Sequence, residues 1–344
     1  MSAQEKIIEK IQIPDAPKIE GLTFRGFRGE SDYPKMLAVI EGSKDADKIE
    51  RMESIEDLAN NYAYLTNCDP YEDMLFAEVD GEVIAYSRVT WRTEDSGDWI
   101  YLHFGFLLPE WRRKGIGQAM LRYNQNRLCE IAVEHKNGVP RYFESFASDT
   151  QVAAEKLLLS EGFEAVRHGF EMVRPLSEPI ADKYLPDGLE VRPVAPEQYR
   201  AVWDANQEAF QDHWGYSPAE EADYERWLNE SIFQPELWQV AWDGDQVVGM
   251  VLNFVVEAEN AEYNRKRGYT EFICVRRPWR KQGMATALIT SSMNMFKEMG
   301  MTEAGLGVDT QNLSGALWLY ESLGFRQVKR HSTYRKPMEK VCCG

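Results

Sequence analysis

Residues 237–242 form an apolar run that breaks at Asp243-Gly244 and resumes over residues 247–256. An Asp-Gly pair between two apolar runs predicts a β-hairpin with a tight turn. A further strand is expected over residues 269–275, running straight into a short glycine-containing segment. Beyond it Met284, Leu288, Ser291, Met295 and Met299 recur at spacings of three and four, which predicts an amphipathic helix. A strand over 304–308, a helix over 313–323 and a last strand from Phe325 complete the series. The first half follows the same plan, with a strand at 22–25, a hairpin turning on Asp80-Gly81 and a strand over 99–107 ahead of its own glycine segment. Strands and helices in this order indicate an α+β domain, a mixed central sheet flanked by helices.

The two halves are copies. Leu107-Leu108-Pro109-Glu110-Trp111-Arg112-Arg113-Lys114-Gly115-Ile116-Gly117 recurs as Val275-Arg276-Arg277-Pro278-Trp279-Arg280-Lys281-Gln282-Gly283-Met284-Ala285. Gly21-Leu22-Thr23-Phe24-Arg25 recurs as Gly188-Leu189-Glu190-Val191-Arg192, and Glu161-Gly162-Phe163 as Leu323-Gly324-Phe325. An internal repeat of this length means two tandem domains. The expected division is an N-terminal extension over 1–20, a first domain over 21–176, a linker over 177–187 rich in proline, and a second domain over 188–338.

Composition narrows the function. The 344 residues carry 39 basic and 56 acidic side chains, a formal charge of −17. Such a surface repels phosphate backbones, which argues against nucleic-acid binding, and it suits cationic small molecules. The five cysteines, Cys68, Cys129, Cys274, Cys342 and Cys343, contain no C-x-x-C pair, so neither a disulfide framework nor a zinc site is expected, and no metal. The pair Cys342-Cys343 reads as a disordered end. No apolar run approaches the roughly 20 residues of a membrane span, and the first residues lack a signal peptide's apolar block, so a cytoplasmic protein is expected.

The glycine segments carry the chemistry. A strand that stops and a helix that starts within a few residues expose several backbone N–H groups beside the positive end of a helix dipole, a cradle suited to a pyrophosphate. Arg276, Arg277, Arg280 and Lys281 form a basic island with no acid among them, and Arg112, Arg113 and Lys114 form another. The spacing fits neither the Walker motif nor the three-glycine dinucleotide fingerprint.

Arg280-Lys281-Gln282-Gly283-Met284-Ala285 and Arg112-Arg113-Lys114-Gly115-Ile116-Gly117 resemble the pyrophosphate loop of the GNAT superfamily of acyl-CoA-dependent N-acyltransferases. The stretch from Asn312 through Ala316, Leu319-Tyr320 and Gly324-Phe325 is similar to that family's second signature. The resemblance covers nearly the whole chain as two GNAT-like domains. The second, with Phe210-Gln211-Asp212-His213-Trp214-Gly215 ahead of its hairpin, is similar to the C-terminal half of mycothiol synthase-like tandem proteins.

The resemblance implies an N-acetyltransferase in which a small-molecule amine attacks acetyl-CoA directly. Acetyl-CoA would be held by Ile273, Cys274 and Val275 of the strand end, by Arg280, Lys281, Gln282, Gly283, Met284, Ala285 and Thr286 of the loop, and by Asn312. The first copy offers Leu107, Arg112, Arg113, Lys114, Gly115, Ile116, Gly117 and Gln118. The N–H of Val275 would stabilise the oxyanion, and Tyr320 would protonate the departing thiolate, its alternative being a core tyrosine. Strict alternation puts Glu271 on one strand face with Ile273 and Val275, as general base or as a solvated strand-entry glutamate, and puts Cys274 opposite, in the core. Asp212, His213 and Trp214 would touch the acceptor, His213 standing otherwise as an uncommitted surface histidine. Aligned on Gly162-Phe163, the first copy has Leu158 in place of Tyr320 and Thr150 in place of Asn312, so it is expected to keep a CoA loop without catalysis. A non-catalytic CoA-binding scaffold and an acyltransferase for longer chains are the alternatives, and the chain is expected to be a monomer or a homodimer. Were the mycothiol-like resemblance to extend to the acceptor, that acceptor would be a cysteinyl amine on a sugar conjugate.

Overall fold

The computed structural model describes residues 7–50, 52–136, 138–312 and 314–339. The chain falls into two compact units, one of residues 1–166 with 331–344, the other of residues 167–330. In order, the elements are β1 (Leu22–Arg25), α1 (Tyr33–Asp47), α2 (Ile55–Ala63), α3 (Pro70–Asp73), β2 (Met74–Val79), β3 (Glu82–Thr93), β4 (Trp99–Leu107), α4 (Ile116–Val133), β5 (Arg141–Ser148), α5 (Val152–Ser160) and β6 (Glu164–Pro175). The second half supplies β7 (Glu190–Val191), α6 (Tyr199–Phe210), α7 (Glu221–Leu228), β8 (Gln239–Asp243), β9 (Gln246–Phe254), α8 (Glu257–Glu262), β10 (Arg267–Val275), α9 (Met284–Glu298), β11 (Glu303–Asp309), α10 (Ala316–Ser322) and β12 (Arg326–Pro337).

In the first unit the strands run β1-β2-β3-β4-β5-β12, and in the second β6-β11-β10-β9-β8-β7. Pairing is antiparallel except for β4 on β5 and β10 on β11, which are parallel. The expected mixed sheet is therefore present in both units. The hairpin between β2 and β3 turns on Asp80 (φ 51°) and Gly81 (φ 88°), the pair of positive φ angles that favours Asp-Gly. Between β8 and β9 the two-residue loop is Gly244-Asp245, one position beyond Asp243-Gly244, because Asp243 pairs with Gln246.

The spatial division differs from the repeat boundaries. Residues 169–175 of β6 pair along β11 in the second unit, and residues 331–337 of β12 pair along β5 in the first. Each copy thus gives its last strand to the other copy's unit. A boundary drawn at proline-rich residues 177–187 follows chain connectivity, whereas strand pairing is a long-range contact that local sequence does not carry. The expected linker also packs, with Ile180 and Leu185 against the second unit's core.

The N-terminal extension is built into the first unit. The Ile11 N–H donates to the Phe24 carbonyl at 2.8 Å, and the Gly26 N–H donates to the Ile8 carbonyl at 2.8 Å. Ile11, Ile13, Ala16 and Ile19 cover Phe24, Ile116 and Met120.

In the second unit α9 and α10 cover one sheet face and α6 and α7 the other. The buried stripe of α9 is Met284, Leu288, Ser292 and Phe296 with Ile289 and Met293. Met299, placed on that face by spacing alone, is 44% exposed at the helix end. Cys68 and Cys274 are free thiols. Cys129 is disulfide-bonded, whereas the cysteine spacing predicts no disulfide framework; the Cys342-Cys343 pair lies outside the described residues.

Candidate active site

The site of the second unit begins with a break in a strand. The pairs Tyr269↔Phe254, Thr270↔Asn253 and Glu271↔Leu252 are regular, and pairing then resumes at Cys274↔Met250 and Val275↔Gly249. One extra residue sits in β10, and Phe272 takes φ 48° to accommodate it. A non-glycine residue in that region is strained, and such bulges gather at functional sites. The bulge also ends the parallel pairing, since β10 and β11 are in register only from Arg267↔Glu303 to Tyr269↔Gly305 and then part.

The bulge corrects the expected alternation. Opposed residues of an antiparallel pair share a face, so Glu271 lies on the face of Leu252, which packs under α6 and α7. Cys274, paired with Met250 of the same cluster, shares that face, whereas Ile273 and Val275 pack against the α9 and α10 core. Strict period-two counting puts Glu271 with Ile273 and Val275; the inserted residue moves it across.

Glu271 sits in the opening between the parted strands. Its Oε1 accepts a hydrogen bond from the Gly307 N–H of β11 at 2.9 Å. Burial pushes its pKa up to about 7 against the pull of that amide, and the Glu171 carboxylate, on the residue paired with Gly307, pushes the same way. Tyr320 of α10 is 5% exposed and approaches from the α9 side. Burial raises its pKa above the ordinary phenol value, and the Glu271 carboxylate adds to the rise, so the phenol is protonated at neutral pH. Cys274 is buried in the core, and burial pushes its thiol up to about 12, so it carries no thiolate at neutral pH.

The glycine loop has the shape its sequence implies. Lys281 (φ 63°) and Gly283 (φ 80°) are both left-handed, and Gly283 is the N-cap of α9. A Cβ on Gly283 would meet nothing within 4 Å, so the backbone angle, not space, selects glycine there. Among the described residues none accepts a hydrogen bond from the N–H groups of Lys281, Gln282 or Gly283, and the helical ladder begins only with Ala287 N–H to the Gly283 carbonyl at 3.0 Å. The first-turn amides of Met284, Ala285 and Thr286 therefore complete a cradle for an anion. Just past β10 the Arg276 N–H bonds the Val248 carbonyl at 2.9 Å, and alternation of strand amides then turns the Val275 N–H away from β9, toward the opening.

Asp212 is engaged by the basic residues that precede the loop. Its carboxylate accepts from Arg280 Nη1 at 3.0 Å and from Arg277 Nε at 3.1 Å, and these guanidinium groups hold its pKa down at about 2. Arg280 also donates to the Val275 carbonyl at 2.9 Å and to the Ala209 carbonyl at 3.2 Å, tying the loop to the end of α6. The first unit repeats this brace, with Arg112 on Asp47 at 2.6 and 2.8 Å and on the Leu107 carbonyl at 3.0 Å. Sequence reasoning missed the brace, although the repeated basic residues signalled it.

His213 packs on the Phe210 ring at 4.3 Å between centroids, and burial lowers its pKa. Its charged neighbours are Asp309, Arg280, Asp212 and Arg167. Trp214 lies under the Arg167 guanidinium, 5.4 Å from the ring centre, and Arg167 is itself bound to Asp309 at the end of β11. Both residues thus flank the end of the opening. The Asn312 side-chain Oδ1 is used locally, accepting from the Ser314 N–H at 2.8 Å ahead of α10.

The first unit keeps the brace and the loop but lacks the bulge. Its β3–β4 pairing is unbroken from Thr93↔Trp99 to Ala85↔Leu107, with no bulge. By strand register Phe104, paired with Arg88, stands in place of Glu271, paired with Leu252; the neighbouring His103 is buried, with its pKa lowered to about 3 by burial and its Nε2 without a partner. Leu158 in place of Tyr320 is a core residue. The loop persists, with Gly115 (φ 87°) capping α4 and Arg113 at φ 60°, and Lys114 lies over the Trp111 ring. Gln118 is engaged with Glu161, and Gly117 approaches Leu107 and Leu157. Thr150 shares a hydroxyl hydrogen bond with Ser148 at 2.8 Å.

Among the described residues no group of three or more His, Cys, Asp or Glu side chains is arranged to hold a metal, and no helix is long and apolar enough to cross a membrane. The family model described as Acetyltransferase (GNAT) family matches residues 41–163 and again 199–325. The mycothiol acetyltransferase of Thermobispora bispora is 26% identical over 307 residues, 89% of this chain and 96% of that protein. The mycothiol acetyltransferase of Salinispora tropica is 24% identical over 77% of this chain and 82% of its own length. A GCN5-related N-acetyltransferase of Sphaerobacter thermophilus superposes with a TM-score of 0.67 over 93% of this chain and 96% of that one, at 24% identity.

Proposed function

The chain belongs to the acetyltransferase (GNAT) family, and on that premise we propose that its second unit transfers an acetyl group from acetyl-CoA to an amine of a small molecule. The observation that carries the reading is the half-buried Glu271 at the gap where β10 and β11 part, together with the buried Tyr320 phenol, whose pKa the Glu271 carboxylate raises.

The cosubstrate fits the residues present. The unbonded amides from Lys281 onward would receive its pyrophosphate, and the strand end from Ile273 to Val275 would pair with its amide-bearing arm. An ammonium acceptor must lose a proton before it can attack. Glu271, with a pKa of about 7, is poised to take it at neutral pH. The amine nitrogen then forms its bond to the acetyl carbon, the Val275 N–H steadies the carbonyl oxygen as it gains charge, and the carbon–sulfur bond breaks. Tyr320 supplies a proton to the leaving sulfur and is restored by the second proton that the nitrogen sheds as it becomes an amide, while the proton held by Glu271 returns to solvent. The first unit, with no bulge, no phenol at Leu158 and a phenylalanine, Phe104, at the strand position of Glu271, contributes no such chemistry in this reading.

Calorimetric titration with acetyl-CoA, followed by thiol release in the presence of an amine panel, tests the proposal. Binding with amine-dependent thiol release supports it. A folded chain that binds no acetyl-CoA at millimolar concentration contradicts it.

A further inference from the structure

Glu271 faces a second carboxylate, and that carboxylate comes from the other copy of the repeat. Strand β6, the last strand of the first copy, pairs with β11 in the second unit, and Glu171 lies directly opposite Gly307 in that register. The Gly307 N–H is donated to Glu271 Oε1 at 2.9 Å. An amide turned toward β10 is turned away from β6. Gly307 and Glu171 therefore form the non-hydrogen-bonded kind of antiparallel pair, in which opposed residues come closest, about 4.5 Å between Cα atoms.

Both carboxylates lie on one face. Leu306 and Val308 of β11, with Phe170 and Met172 of β6, pack into the core under α9 and α10. Alternation then leaves Gly307 and Glu171 on the opposite face, the one that carries Glu271. A Cβ on Gly307 would lie 3.6 Å from Glu271 Oε1 and 3.8 Å from Oε2. The Glu271 carboxylate thus rests over the place where residue 307 would carry a side chain, and glycine puts nothing between it and Glu171.

The other charged groups around the opening are largely paired with one another. Arg167 of β6 holds Asp309 of β11 at 2.6 Å. Glu208 of α6 is bound to Arg276 at 2.6 Å, Asp223 and Arg226 of α7 to each other at 3.0 Å, and Glu259 of α8 to Arg265 at 3.2 Å. Glu230 follows α7, and Tyr320 is a neutral phenol on the α9 side. Of these groups and Glu171, it is Glu171 whose charge raises the Glu271 pKa.

We infer that Glu171 is a positioning residue for the reaction: its carboxylate, set across Gly307 by the strand that the first copy extends into the second unit, keeps Glu271 basic enough to take a proton from the acceptor amine. A general base works best when it titrates near the working pH, and an ordinary glutamate titrates well below it. Burial supplies part of the shift and the like charge of Glu171 adds to it. The first copy acts on the chemistry of the second through β6, although its own unit performs none. This rests on the proposed role of Glu271 as base.

The test is a carboxyl carbon-13 NMR titration of the full chain, with the Glu271 signal identified by its loss in Glu271→Gln. In Glu171→Gln the Glu271 midpoint should fall by about half a pH unit or more. Where an amine is turned over, the acidic limb of kcat/KM should move down with it. Glu171→Asp, which keeps the charge, should recover most of the difference, and melting temperatures check that both variants fold. A midpoint that Glu171→Gln leaves in place, or that Glu171→Asp lowers as far as Glu171→Gln does, overturns the inference. The reading of Glu271 as base fails separately, if Glu271→Gln turns over the amine like the wild type. A midpoint that still responds to Glu171 then upholds the electrostatic link and removes its catalytic purpose.

Discussion

The Glu271 carboxylate accepts the Gly307 N–H at 2.9 Å across the gap where β10 and β11 part. That bond holds the carboxylate in the opening instead of letting it turn to solvent. One hydrogen bond from a neutral amide is too little to offset burial and the nearby Glu171, so the group titrates near neutrality.

Glu271→Gln should therefore lower kcat/KM by about 10²–10⁴ and abolish the rise in rate through pH 7. Acetyl-CoA affinity should be unchanged. Steady-state thiol release between pH 5.5 and 9 checks all three.

The same substitution should stabilise the fold at alkaline pH. The folded-state pKa of about 7 lies above the ordinary 4.5. The folded chain thus binds this proton more tightly than the unfolded one, a contribution complete below pH 4.5 and lost as pH rises through 7. Glu271→Gln should match the wild type near pH 4.5 and exceed it at pH 8 by on the order of 1–3 kcal/mol. Urea titrations at the two pH values read the difference.

Tyr320→Phe removes only a hydroxyl from a buried helix position. Turnover should fall roughly 10²-fold with melting temperature and acetyl-CoA affinity little changed. Unaltered turnover would return Tyr320 to a packing role.

Asp212→Ala releases Arg277 and Arg280, and with Arg280 the brace between the loop, Val275 and α6. Acetyl-CoA should bind about three- to tenfold more weakly, as expected for losing an exposed ion pair that positions a loop, while kcat stays within about twofold. A substitution that raises the KM for the amine alone would restore Asp212 to the acceptor side.

Local signals carried much of this site. Two glycine loops, each between a strand and a helix, were readable because positive φ and N-terminal amides impose a composition on a few adjacent residues. Tyr320 and its helix were readable through a resemblance in contiguous sequence. The bulge was not, since nothing in Thr270-Glu271-Phe272-Ile273 marks an extra residue, and its effect was to carry Glu271 to the other face. The exchange of β6 and β12 between units was hidden for a related reason, as pairing partners more than a hundred residues apart leave no local trace.

The central claim is that the second unit alone performs the chemistry, through Glu271 and Tyr320. The most direct measurement is amine-dependent thiol release by the full-length double variant Glu271→Gln/Tyr320→Phe, with acetyl-CoA binding followed in parallel by calorimetry. The account predicts that turnover falls to background while acetyl-CoA still binds. Turnover within tenfold of the wild type would contradict it and move the chemistry to other residues.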